Sequence, residues 1–291
     1  MIKKIVTHNG DFHSDDVFSI ASISIKLGEI DIVRTRDNEL IKNADYAIDV
    51  GGESDGEKKF DHHQEGGAGE RINGIPYASF GLVWKAFGEE ICGGKEISEL
   101  IDKKLVQPID AADNGLNILT PVFKDLFPYM VGDCIQSFKP GWNEENLSNA
   151  FKEAVEFAKN LLLREISKFK TEEDGKKIVE DIYKNSDDKQ IIIMDKKYPW
   201  ENVLNKYNEP LFAVYPTREG DSWHVKSIRS NFYDFKVRKE MPISWAGKRD
   251  KELAELTGID DALFCHNKRF LVAARTKEGA IKLAHLALMA N

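Results

Sequence analysis

The chain has 291 residues, 42% hydrophobic and 31% charged, with 49 acidic against 41 basic side chains and a formal net charge of -8. That length holds one large or two medium cores, and the acidic balance excludes a generic nucleic-acid coat, which grips phosphate with a basic surface. No apolar run reaches the roughly 18–20 residues that span a bilayer, and three scattered cysteines lack the CxxC spacing of a zinc knuckle, so a cytoplasmic protein with buried thiols and no membrane partner is expected.

The runs "IKKIVTHNG" (2–10) and "ADYAIDVGG" (44–52) are short, apolar and end in His, Asp and Gly, as buried parallel strands do when they open into functional loops. Between them "SDDVFSIASISIKLGE" starts acidic, spaces Val17, Ile20, Ala21, Ile23 and Ile25 along one helical face and stops at Gly28. Strand, helix, strand is the order. After a glycine-rich stretch, 79–91 and 96–113 keep a helical period, and 143–169 is a long amphipathic helix. The charged run 170–189 reads as a connection. Beyond it "KQIIIMD", "PLFAVYPTREGDSWHVKSIRS" and "ALFCHNKRFLVAA" read as strands, the second a hairpin around "TREGD", before a closing helix at 276–290. The expected fold is α/β, with a parallel sheet and flanking helices in residues 1–185 and a smaller α/β lobe in residues 186–291.

Imidazoles and carboxylates cluster after the apolar runs. "THNGDFHSDD" holds His8, Asp11, His13, Asp15 and Asp16; Asp49 follows the second strand; "KKFDHHQEGG" holds Asp61, His62 and His63; "QPIDAADNG" holds Asp110 and Asp113. In parallel α/β sheets such post-strand residues meet at one crevice. Imidazole with carboxylate and no thiolate suits Mn2+, with Mg2+, Co2+ or Zn2+ as alternatives. The ligand types exceed what one ion needs, and two ions about 3.5–4 Å apart can clamp the oxygens of a phosphoryl displacement. Each acid taken singly is equally a helix cap or turn residue; Asp15 and Asp16 fit a helix start.

Together with "IDVGG", "FDHHQ", "GIPYASFGLVW", "IDAADNG", "VYPTREGDSWHVKSIR" and "VRKEMPISWAG", these motifs resemble the melanocyte-proliferating-gene (Myg) family, a branch of the DHH superfamily of phosphoesterases, along nearly the whole chain. The resemblance implies a two-lobed hydrolase with two divalent ions of the Mn2+ type in a DHH lobe and a second lobe for a phosphate-containing substrate. It further implies a 3′ to 5′ exonuclease acting on RNA or short single-stranded oligonucleotides. Carried over, His8, His13 and Asp15 match the first metal motif, Asp49 the second, His62 the third and Asp113 the fourth, with Asp110 as the alternative. His63 matches the residue that faces the scissile phosphate, so His63, Asp49 and Asp15 are the catalytic candidates. Where relatives carry a glycine pair, this chain has Val272, Ala273 and Ala274.

Between Trp223 and Arg249, seven basic residues (Lys226, Arg229, Lys236, Arg238, Lys239, Lys248, Arg249) stand against Asp234 and Glu240, about +5 by count, interleaved with Trp223, Phe232, Tyr233, Phe235 and Trp245. Such a stripe suits single-stranded nucleic acid. It equally suits a hairpin with core aromatics and solvated charges. Arg229, Arg238, Lys226 and Lys248, with His266, are the substrate-binding candidates. Hydrolysis of pyrophosphate or a short nucleotide, and metal-stabilised binding without turnover, are the competing functions. Oligomeric state is not legible.

Overall fold

The computed structural model describes residues 2–231 and 236–290; Phe232, Tyr233, Asp234 and Phe235 of the basic stripe lie outside the described residues. By Cα packing the chain divides into one unit through Phe169 and another from Lys170.

In the first unit β1 (Lys3–Thr7) leads to α1 (Ser14–Leu27), β2 (Ile30–Arg34), α2 (Asn38–Lys42), β3 (Tyr46–Ile48) and β4 (Lys59–Phe60). The four strands form a parallel sheet in the order β2-β1-β3-β4. β1 is buried on both faces: Ile5 enters the large core beneath α1, while Val6 packs with Ala47, Val50 and Ile41 of the α2 side. β2 went unanticipated because "IDIVR" is a half-exposed edge strand without a continuous apolar run. α1 begins where Asp16 Oδ1 accepts the His13 N–H at 2.8 Å, and it ends at Gly28, whose φ of +83° few other residues adopt. Its Phe18, Ile20 and Ile23 are fully buried, each contributing about 1.5–3 kcal/mol by leaving water.

Next come α3 (Ser79–Cys92) and α4 (Lys95–Ile101), which continues through a π turn (Asp102–Val106) into α5 (Gln107–Asp113), followed by α6 (Val131–Gln136). α7 (Leu147–Asn185) extends well past the expected end, so most of the charged connection is helical. It tolerates Gly175 because the Pro199 ring lies where a side chain would go, 2.5 Å from a Cβ, and Val179 and Tyr183 then find a core.

The second unit holds β5 (Ile191–Ile193), α8 (Glu201–Leu204), β6 (Phe212–Pro216), β7 (Trp223–Ser227), α9 (Asp250–Thr257), β8 (Ala262–Cys265), β9 (Leu271–Ala274) and α10 (Lys277–Met289). Its sheet runs β5-β6-β7-β9-β8, parallel between β5 and β6 and antiparallel elsewhere, including the β6-β7 hairpin expected around "TREGD". One face packs on Ala280, Leu283, Ala284 and Ala287 of α10; the other packs on Val179, Tyr183, Trp200 and Leu204. Val272, Ala273 and Ala274 lie in β9, fully buried between β7 and β8. Cys92 and Cys265 are buried thiols. Among the described residues no helix is long and apolar enough to cross a membrane.

Candidate metal centre

Strand register builds the site. Thr7 pairs with Ile48, and Ile48 with Phe60, so the residues that follow (His8, Asp49, Asp61) leave the sheet at one level. His62 and His63 come one and two residues later, α1 contributes Asp15 and Asp16 from its first turn, and α5 ends on Asp113. Parallel strands and two helix ends thus bring together residues spread over more than a hundred positions.

Two sets have ligand atoms within 4.8 Å of one another: Asp15, His62 and Asp113, and Asp49, His62 and His63. His62 Nε2 lies 3.0 Å from Asp113 Oδ2, 3.5 Å from Asp49 Oδ1 and 4.0 Å from Asp15 Oδ2. His8 Nε2 stands 3.3 Å from both Asp49 Oδ2 and Asp16 Oδ2. Its Nδ1 is 3.1 Å from the Asn9 carbonyl, which only accepts, so Nδ1 carries a proton and Nε2 is the nitrogen turned to the carboxylates. Asp49 thereby offers one oxygen to His8 and the other to His62 and His63. It holds this position with φ +54°, followed by Gly51 and Gly52, also at positive φ.

These residues fit divalent ions. The buried atoms His62 Nε2 and Asp16 Oδ2 make no hydrogen bond despite close polar neighbours, which is costly unless another group engages them. Charge points the same way. Burial draws the His8 pKa down, but Asp16 and Asp49 outweigh it and hold it at about 10; burial likewise opposes His62, which Asp113 and Asp49 hold at about 10. Asp49 raises His63 to about 9 against burial, with help from Asp61. Burial pushes the Asp15 carboxyl up, and the charges of Asp49 and Asp113 push it further. Burial also raises Asp49, but His62, His63 and His8 overcome it and keep this carboxylate ionised. The clustered carboxylates demand positive charge, which metal-free imidazoles provide by holding protons and a bound cation would provide in their place.

The amino terminus of α3 anchors the acids. Ser79 and Phe80 N–H groups donate to the two oxygens of Asp15 at 3.1 and 2.7 Å, and Ser79 Oγ donates to Asp49 Oδ1 at 3.1 Å. Carboxylates are favoured at a helix start, whose first N–H groups lack partners. Gly81 N–H donates to Asp110 at 2.9 Å, and Arg71 donates to Asp110 at 2.7 Å and to Asp102 at 2.9 Å. Asp110 is therefore occupied as a support, whereas Asp113 faces His62. Gly81 is required by this approach: a Cβ there would sit 1.9 Å from Asp110 Oδ2. Gly81→Ala is expected to cost about 3 kcal/mol or more by overpacking and by breaking the Arg71 pair. Thermal unfolding should register this as a Tm lower by roughly 6–12 °C; an unchanged Tm would show that Asp110 moves aside freely.

Not every anticipated residue joins the site. His13 stays exposed at the rim, its ring centred 6.2 Å from that of His8, and belongs to neither set. Asp16, also outside both sets, lies closer in: one oxygen caps α1 and the other faces His8. The sequence signal for Asp16, an acid in the first helical turn, is the same signal that a capping residue gives. Asp61 was likewise legible only as part of "DHH"; it accepts from Gly52 N–H at 2.6 Å and from His63, whose Nδ1 lies 2.8 Å away.

In the second unit the cations of the stripe have partners. Arg238 is committed to structure, its guanidinium donating to the carbonyls of Arg229, Tyr207, Pro210 and Asn205; that corrects its assignment as a phosphate contact. Lys226 pairs with Glu201 at 2.5 Å, Lys248 with Glu252, and Lys239 with the Ala290 carbonyl. Trp245 is core. Arg229 is half-buried and bridges Val237 through its backbone. His266 accepts from Lys268 N–H at 3.0 Å and packs on Phe270.

Comparison with known proteins adds a family. The model of the MYG1 exonuclease family, described as an uncharacterised protein family (UPF0160), matches residues 4–288. A MYG1 protein of Dictyostelium discoideum is 30% identical over 317 residues, covering 96% of this chain and 94% of its own. One of Schizosaccharomyces pombe is 28% identical over 316 residues, covering 98% and 97%. The human protein named MYG1 exonuclease is 26% identical over 323 residues, covering 98% and 85%.

Proposed function

The chain belongs to the MYG1 exonuclease family, and on that premise we propose that it is a metal-dependent phosphodiesterase of the DHH type that shortens single-stranded nucleic acid from an end. The observation that carries the reading is the convergence of His8, Asp15, Asp49, His62 and Asp113 in one cluster, with a buried imidazole nitrogen that makes no hydrogen bond. Two divalent ions, Mn2+ foremost, fit the ligand number, and His8, Asp15, Asp49, His62 and Asp113 would hold them. Such ions, when bound, acidify a water and offset charge on phosphate oxygens.

The chain's own groups do the rest. Asp15 and Asp49 are fixed by the start of α3, so the ligands are in place before substrate arrives. His63, held through Nδ1 by Asp61, has a side chain 62% exposed and can turn Nε2 to a scissile phosphate. Residues 1–185 would supply catalysis and residues 186–291 substrate contacts through Arg229, Lys226, Lys248 and His266. RNA as the polymer and a 3′ to 5′ direction complete the proposal.

End-labelled single-stranded RNA, incubated with chelated protein and then with Mn2+, should yield a ladder that shortens from the 3′ end and is absent with chelator. Phosphate release from pyrophosphate without a ladder would replace this reading with small-phosphate hydrolysis. No product from either would leave a binding protein.

A further inference from the structure

Residues 116–130, "LNILTPVFKDLFPYM", follow Asp113 after a two-residue turn and display an unusual set of apolar side chains: Val122 is 91% exposed, Phe123 70%, Phe127 71% and Tyr129 71%. Globular surfaces seldom show such a contiguous patch unless something docks there. Leu119, Pro121, Phe123, Leu126, Phe127 and Pro128 line a hollow of about 440 Å³ with almost no polar wall, within the size range of small-ligand sites.

Both ends of this segment are tied to the candidate metal centre. At its start Asn114 Nδ2 donates to the Asp110 carbonyl at 2.8 Å and Leu116 N–H to that of Ala111 at 2.8 Å, locking the turn that carries Asp113. At its end α6 packs against α1: Ile135 is fully buried in the shared core, and Gly132 faces Ser14, the neighbour of Asp15. The segment therefore spans from one metal-site carboxylate to the doorstep of another. Between the anchors the chain turns tightly, with Leu126 N–H on the Phe123 carbonyl at 3.3 Å and Asp125 at φ +59°, which leaves both phenylalanine rings outward.

We propose that Phe123, Phe127 and Tyr129 form a stacking platform for the bases of a single-stranded nucleic acid whose phosphate lies at the metal centre; this rests on the function proposed above. Charge favours bases over backbone as the grip. The chain carries a net charge of -8, and Arg238 of its basic stripe is committed to backbone carbonyls, so the few remaining cations leave room for a grip on the bases. Aromatic faces bind any base, and a hollow with so few polar groups discriminates little among them. The platform's share of recognition is thus tolerant of sequence, demands unpaired bases and depends only weakly on salt. A second copy of the chain is the competing occupant; the tethering of both ends beside the ligand-bearing turns favours the substrate.

The test compares three substrates: a natural oligonucleotide, the same strand with abasic terminal positions, and a nitrophenyl phosphodiester. Phe123→Ala combined with Phe127→Ala should lower kcat/KM on the natural strand about 10- to 100-fold, through KM. On the abasic strand it should change by less than about 3-fold, and on the nitrophenyl ester not at all. Because both rings are exposed, Tm should hold. Phe127→Trp should keep activity, and its added fluorescence should be quenched by the natural strand but not by the abasic one, a readout that needs no cleavage. Equal losses on natural and abasic strands, or no quench while the wild-type protein cuts, would overturn the platform and leave the nuclease standing. Quenching without any cleavage would sink the nuclease and keep the platform. A fall in sedimenting mass in the double variant with unchanged KM would give the surface to a second copy and overturn the proposal.

Discussion

Asp49→Asn is expected to lower oligonucleotide cleavage by well over the roughly 10- to 100-fold that loss of a supporting partner costs a metal site. Its two oxygens face different imidazoles, Oδ2 at 3.3 Å from His8 and Oδ1 at 3.5 Å from His62 and 3.3 Å from His63. An amide keeps one acceptor and loses the charge, so it would hold a cation among these imidazoles far less well. Asparagine is the informative replacement because Asp49 sits at φ +54°, where asparagine is tolerated and alanine would add strain of about 1–2 kcal/mol. The variant thus tests the carboxylate and not the turn. Metal analysis should find less than the wild-type content. Thermal unfolding adds a second check: a ligand at about a hundred times its Kd stabilises by roughly 2.7 kcal/mol, so Mn2+ should raise the wild-type Tm and leave that of the variant nearly flat. Full metal content with full activity would remove Asp49 from the centre.

Much of this site was legible because each ligand candidate stands next to an apolar run whose end the pattern marks. His8, Asp49 and His62 follow strands that the structure aligns at one level, and Asp113 ends a helix whose period was readable. What stayed hidden depends on partners distant in sequence. Ser79 looked like any helix start, yet its hydroxyl reaches Asp49 thirty positions back. The second oxygen of Asp16 was not foreseen because an acid in a first turn signals capping whether or not it also faces an imidazole. The basic stripe misled for the same reason: composition counts charges, while the carbonyls that occupy Arg238 come from a loop about thirty residues earlier. The helix through 170–185 was obscured by its charge, since the apolar face that Val179 and Tyr183 make is narrow.

His63→Ala should separate holding metal from acting on substrate. The ring is anchored on one side only: Nδ1 lies 2.8 Å from Asp61 Oδ1, and at that distance from a carboxylate it carries the proton, leaving Nε2 to face outward from a side chain 62% exposed. A group so placed reaches a phosphate oxygen as a donor when protonated, a state that the Asp49 and Asp61 carboxylates favour in the metal-free site. Removing it should cost about 10²- to 10⁴-fold in kcat, the range for a positioned acid or base, while metal content stays near wild type. His63→Gln, which keeps an N–H donor at similar reach, should recover part of that loss. Asp61→Asn should fall between them, since it still supports the Gly52 turn while loosening the ring. The contrary result is specific. Nδ1 also lies 3.3 Å from Asp49 Oδ1, within the second set of ligand atoms. If His63→Ala empties the centre as fully as Asp49→Asn, the imidazole is a ligand, and the group that meets the leaving oxygen must be sought elsewhere on the rim, beginning with the exposed ring of His13.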